Sequence, residues 1–294
     1  MERTELYSHL AHCLAGYGGI RHIPEYLPMK FYNEKASSAI LVRNYRDIHE
    51  VAYPDMFDST LSFLLLDAHF RSVDPELEDG NYVERYAALK KTSRIGKLAA
   101  QVYRILNIYH QATVYAPDRL DHTDELVRMN YTHRNIAYTL IITKSGLSLC
   151  DSFVLYYLSS FSMPHSDEYV EAMLTAYYND IAGQIKKMFD EEGCEQLFRP
   201  RYDFNRRFRY NCRNARYRID GGFLSVEMED RFDDRRVYPI DFFLTLSDGS
   251  YIIPVEVLSD KKIRLGDLPL WKTRNTDEDR CSVNIDAMKA GESE

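Results

Sequence analysis

The stretch from Phe198 to Arg218, FRPRYDFNRRFRYNCRNARYR, holds the residues best suited to gripping a charge or a ring. Tyr202, Phe204, Phe208 and Tyr210 fall on even positions, and Asp203, Asn205, Arg207, Arg209 and Asn211 fall on odd ones. A period of two predicts a strand over 201–212 with an aromatic face and a guanidinium face. Guanidinium groups hold phosphate or pair with carboxylates, and aromatic rings stack on bases or fill a core. In a binding reading, Arg201, Arg207, Arg209 and Arg213 contact phosphate while Tyr202 or Tyr210 stacks on a base. In a structural reading, the rings are buried and the arginines pair with Glu227, Glu229, Asp230, Asp233 or Asp234, one hairpin away. Such cross-strand charge pairs contribute about 0.2–1 kcal/mol each. Residue types alone fit both readings.

A second constellation lies on the hairpin VYPIDFFLTL-SDGS-YIIPVEVL, where Pro239-Ile240-Asp241 precedes the turn and Glu256 follows it. Two carboxylates at the ends of paired strands can share a hard cation that polarises a phosphate. The hairpin resembles half of the PD-(D/E)XK nuclease core. That resemblance implies Asp241 and Glu256 as ligands of Mg²⁺ or Mn²⁺ on adjacent strands, with a lysine amine activating the attacking water. It departs from the family in two places. The residue two after Glu256 is Leu258 and not lysine, so Lys261 or Lys262 would have to supply the amine. Ile240 also intervenes between Pro239 and Asp241.

Other chemistry-bearing residues are more scattered. His9 and His12 stand at i and i+3 beside Cys13, with His22 further on. This spacing can begin a zinc site, but Cys13 is rotated about 100° from His12 on a helix, and a satisfied histidine pair at a surface or interface is the better account. His122 and His133, near Asp121 and Asp124, are spaced more loosely. AGYGGIRH lacks the GK[ST] of a phosphate loop and closes a helix instead of opening one. No GxSxG, HExxH or kinase set is present. Cys150 or Cys194 could serve as a nucleophile only with a histidine nearby in space. The five cysteines, Cys13, Cys150, Cys194, Cys212 and Cys281, include no CxxC pair, which predicts reduced thiols.

These residues must be positioned by the rest of a 294-residue chain with 45% hydrophobic and 28% charged residues, the balance of a globular protein. Its 37 basic and 45 acidic side chains give a net charge of −8, which argues against general affinity for nucleic acid but leaves room for a local basic face. No uncharged apolar run approaches the ~20 residues that span a bilayer, and no signal peptide is read, so an intracellular, cytoplasmic location is expected.

Apolar spacing predicts helices over 2–15, from Asp55 or Asp58 to His69, over 93–115, 123–143 and 148–161, and from a Ser166 cap to Gly193. HIPEYLP reads as extended and SSAILVRNY as a short strand. After Pro200 the period becomes two, with hairpin turns at Asp220-Gly221-Gly222 and Ser247-Asp248-Gly249-Ser250. The expected architecture is α+β: a mainly helical domain over 1–195, an antiparallel β-meander over 196–272 and a polar tail over 273–294. In Tyr156-Tyr157 and Tyr177-Tyr178, one ring is expected inward and the next at a helix shoulder. The chain holds 23 tyrosines, which suits a protein interface. The functional expectation is a non-catalytic interaction or scaffold protein without a cofactor. It would be a subunit of a larger assembly that meets a protein partner, or alternatively nucleic acid, through the Arg/aromatic region. A metal-dependent nuclease or a degenerate relative of one is the competing reading.

Overall fold

The computed structural model describes residues 24–29, 57–73, 77, 79–89, 93–133, 135–187, 200–213 and 215–274. The expected helix over 2–15 lies outside these residues, together with His9, His12, Cys13 and His22. So do SSAILVRNY, Cys194, Cys281 and all of the tail beyond Arg274. The α+β class holds. The described chain divides into two compact units, one built from 57–161 and 171–207 and the other from 25–29, 162–170 and 208–274.

The first unit contains helices α1 (Phe57–Val73), α2 (Tyr82–Ala88), α3 (Arg94–His110) and α4 (Lys144–Ser159). Helix α5 (Asp167–Gln184) begins in the second unit and enters the first at Glu171. Side chains cap helix starts, and the Ser166 cap is the one read from the sequence. Ser93 accepts from the Gly96 amide, Ser166 from Tyr169, and Asn81 forms a reciprocal capping box with Glu84. Of the inward positions read from the sequence of α3, Leu98, Ala99, Val102, Leu106 and Tyr109 are buried and Ile95 is half-buried.

Residues 123–143 are not the helix their apolar spacing suggests. They form strands β3 (Leu126–His133) and β4 (Ile136–Thr143), flanked by β2 (Leu120–His122) and β5 (Ile185–Lys187) in a sheet of order β2-β3-β4-β5. Val127 and Met129 are buried on β3, and Leu140 and Ile142 on β4. This is a period of two, reinforced by the β-branched residues of IAYTLIIT. Asn135, at φ 62°, makes the turn. The tyrosine pairs depart from expectation as well, because Tyr156, Tyr157, Tyr177 and Tyr178 are all buried.

The second unit contains a four-stranded sheet of order β1-β6-β9-β10, from β1 (Glu25–Pro28), β6 (Phe208–Arg213), β9 (Ile240–Leu246) and β10 (Gly249–Pro254). The β9–β10 hairpin is antiparallel and turns where the sequence places it. Strand β6 runs parallel to both of its neighbours, β1 and β9. The strand expected over 201–212 therefore begins only at Phe208, and residues 200–207 carry no regular structure. A second sheet has the order β11-β8-β7, from β7 (Tyr217–Asp220), β8 (Phe223–Val226) and β11 (Lys262–Arg264). The β7–β8 turn requires glycine, since Gly221 and Gly222 have φ of 55° and 82°.

Candidate functional site

Strand register decides which side chains meet. Asn211 on β6 is opposite Asp241 on β9, and Asp241 is opposite Pro254 on β10. Side chains two residues apart share a face, so Arg209, Asn211 and Asp241 stand on one face of this sheet. Glu256 lies just past the end of β10, in a short 3-10 turn over Val255–Val257, and not on the strand itself. Arg235 braces that turn by donating to the Glu256 and Leu258 carbonyls at 3.2 and 2.6 Å.

The two carboxylates do converge, and what they converge on is Arg209. The guanidinium donates from Nε and Nη2 to Asp241 Oδ2 and Oδ1 at 2.8 and 2.7 Å. It also donates from Nη1 and Nη2 to Glu256 Oε1 and Oε2 at 2.8 and 2.7 Å. Both contacts are bidentate, the geometry that arginine's planar fork provides and lysine cannot. The side chains of Arg209 and Asp241 are 0% exposed and that of Glu256 is 3% exposed. Burial by itself would lower the arginine's pKa, but Asp241 and then Glu256 outweigh it and hold the value well above ordinary.

A chain of hydroxyl groups completes the cluster. Tyr169, in the first turns of α5, donates to Asp241 Oδ2 at 2.7 Å, and its ring lies 5.7 Å from the Arg209 guanidinium carbon. Tyr26 on β1 lies 3.2 Å from the Tyr169 hydroxyl and 2.8 Å from His165 Nε2. Each hydroxyl has one proton to give. Since Tyr169 gives its own to Asp241, the consistent order is His165 Nε2–H to Tyr26, then Tyr26 to Tyr169. His165 Nδ1 is then a bare acceptor, and it has no hydrogen-bond partner. The imidazole stacks on Tyr169 at 4.2 Å, and burial, then Arg209 and Arg274, push its pKa down to about 3. It is neutral at physiological pH.

The remaining predicted residues are dispersed. Lys261 does not supply an amine to these carboxylates. It holds Asp230 at 2.6 Å, Asp233 at 3.4 Å and the Met228 carbonyl at 3.0 Å. Lys262 is exposed on β11, opposite Ser225. Tyr210 is buried, so β6 has no exposed aromatic–guanidinium surface. Arg201, Arg207 and Arg213 are exposed, and Tyr202 is half-buried against Phe204. Arg206, absent from the sequence reading, is buried beside Asp180 with its guanidinium over the Tyr177 ring.

The acids expected to pair with the arginine strand serve other cations: Glu227 meets Arg218 at 3.2 Å, and Glu229 meets Arg231 at 2.8 Å. Arginine–carboxylate pairing was correctly anticipated as a possibility, but the partners of Arg209 are the two carboxylates assigned to a metal. Among the described residues, no group of three histidine, cysteine, aspartate or glutamate side chains is placed to hold a metal ion. No helix among them is long and apolar enough to cross a membrane.

The first unit repeats the theme. Asp67 on α1 accepts from the Tyr103 hydroxyl and from Arg85 and Arg71, both at 2.9 Å. Burial, with Asp67 next, raises the Tyr103 pKa well above that of an ordinary phenol. In both units a buried carboxylate is satisfied by an arginine and a tyrosine.

No protein-family model, no curated protein and no solved structure matches this chain.

Proposed function

We propose that this chain is a non-catalytic interaction protein that meets a macromolecular partner through cations its β-rich unit leaves exposed. Arg209, Asp241 and Glu256 then serve to hold the fold. The observation that supports this is the double bidentate clamp. A catalytic divalent ion needs carboxylate oxygens turned toward water and substrate, whereas the four oxygens of Asp241 and Glu256 all accept from Arg209 in an enclosed site.

The partner surface is sought among residues that reach solvent. On the three-stranded sheet, Phe223 is 39% exposed and stands opposite Arg264, with Lys262 on the same face two residues away. An aromatic ring flanked by cations suits a nucleobase with its phosphates or an acidic, aromatic peptide segment. Arg213 adds a further exposed cation at the end of β6.

The test is a native gel with labelled single- and double-stranded DNA and RNA, run in Mn²⁺ and in EDTA. A shift without cleavage, weakened by salt and by Lys262→Ala with Arg264→Ala, supports a nucleic-acid partner. No shift and no cleavage directs the search to a protein partner on the same face. Cleavage in Mn²⁺ alone, lost in a folded Asp241→Asn variant, overturns the non-catalytic reading.

A further inference from the structure

Strand β7 is the edge of its sheet, and all four of its residues are exposed, including Ile219 at 53% and Tyr217 at 37%. The direction of its backbone groups follows from the hairpin. Glu227 N–H donates to the Arg216 carbonyl at 2.9 Å, so 216 and 227 form a hydrogen-bonded pair. Antiparallel pairs alternate between hydrogen-bonded and non-hydrogen-bonded. Given the register Arg218↔Ser225 and Asp220↔Phe223, residues 218 and 220 point their N–H and C=O groups at β8. Ile219 and Tyr217 therefore point theirs away from it, where no strand lies among the described residues. An exposed edge that presents outward N–H and C=O groups is a template for another strand.

The order of side chains on β7 selects the occupant. We propose that a second copy of this chain adds antiparallel to β7 about a two-fold axis at Ile219. In that register Ile219 is opposite the partner's Ile219, and the two exchange both outward backbone hydrogen bonds. Arg218 is then opposite Asp220 of the partner subunit, and Asp220 opposite the partner's Arg218. These are non-hydrogen-bonded pairs, whose side chains lie closest together. The strand is thus self-complementary in charge as well as in backbone, which is what an isologous interface requires. The segment is only four residues long, so the association is weak and visible at high protein concentration. The net charge of −8 opposes it only at long range, where salt screens the repulsion.

The experiment is sedimentation velocity on the full chain over a concentration series. Wild type is expected to shift from monomer to dimer. Ile219→Pro removes an outward N–H that β8 does not use, so it abolishes the dimer while circular dichroism stays unchanged. Arg218→Asp and Asp220→Arg are each expected to raise the dimer dissociation constant about tenfold or more, by replacing two attractions with two repulsions. The double variant R218D/D220R restores dimerisation. Loss of the Arg218 contact with Glu227 in the same chain is common to R218D and the double variant, so the rescue reads only contact between copies. A monomer at every concentration, or a dimer indifferent to the charge reversals, overturns the proposal.

Discussion

Arg209 and Asp241 belong to neighbouring parallel strands and meet fork to fork, with two hydrogen bonds of 2.8 and 2.7 Å and neither side chain exposed. Glu256 holds the other side of the same guanidinium. Two carboxylates and one arginine leave the cluster one negative charge in excess, and the Tyr169 hydroxyl offsets part of its desolvation. Removing one partner from such a set is far more damaging than removing all of it, because a lone buried charge is left behind.

Arg209→Met is accordingly expected to destabilise the chain by about 3–5 kcal/mol, leaving Asp241 and Glu256 buried without a counter-charge. The triple variant R209M/D241N/E256Q carries no charge at the site and recovers much of that loss. Tyr169→Phe removes a hydrogen bond to a charged acceptor and costs about 1.5–3 kcal/mol. Urea midpoints measured at constant slope decide the order. A single Arg209 variant as stable as wild type would mean that the clamp contributes little.

His165 sets a pH dependence of definite sign. Its folded pKa lies at about 3 against an ordinary 6.5, so between those values the unfolded chain binds a proton that the folded chain does not. The stability this neutral imidazole contributes is complete above pH 6.5 and declines as pH falls toward 3. The slope from this one group is about 1.4 kcal/mol per pH unit. Subtracting the stability curve of His165→Gln from that of wild type isolates it from the carboxylates that titrate in the same range. A difference that stays flat between pH 7 and pH 4 would contradict the burial described.

The β9–β10 and β7–β8 hairpins, the β1 extension and the Ser166 cap were legible in the sequence because each is encoded locally, by glycine, proline, serine or a short alternation. The β3–β4 hairpin was missed because Leu126, Met129 and Leu140 also satisfy helical spacing, and only the β-branched run to Thr143 favours a strand. The clamp was half legible. Period two correctly joined Arg209 and Asn211 on one face, and the nuclease resemblance correctly drew Asp241 and Glu256 together. What chose Arg209 over Arg207 is that Arg209 lies within β6, between β1 and β9. Arg207 precedes the strand and stays exposed. Long-range strand order of this kind leaves no trace in local spacing.

Gly146 tests the junction of sheet and helix in the first unit. It sits in the first turn of α4, where Thr143 accepts from its amide at 3.0 Å. Replacing glycine by alanine in an open helix gains about 1 kcal/mol. Here an added Cβ would lie 2.6 Å from Ile142 Cγ1 and 2.8 Å from Gln184 Cβ, closer than carbon atoms approach. Gly146→Ala is therefore expected to lose about 1–3 kcal/mol, as overpacked cores do. A gain in melting temperature would show that Ile142 and Gln184 can move aside.

Cys212 reports on the integrity of the clamp strand. It lies on β6, one residue from Asn211 and on the opposite face from Arg209, and burial pushes its thiol pKa up to about 12. The thiolate is the reactive form, so at pH 8 only about one thiol in ten thousand is ionised, even before access is considered. Alkylation of the Cys212 peptide, followed by mass spectrometry, is expected to be very slow in native buffer and rapid in urea. Cys150, wholly buried on α4, provides the same reading for the first unit. Because native labelling requires β6 to open, Arg209→Met should speed alkylation of Cys212 much more than that of Cys150. Equal acceleration at both sites would mean that the two units open together, and prompt labelling of wild-type Cys212 would contradict its placement inside the sheet.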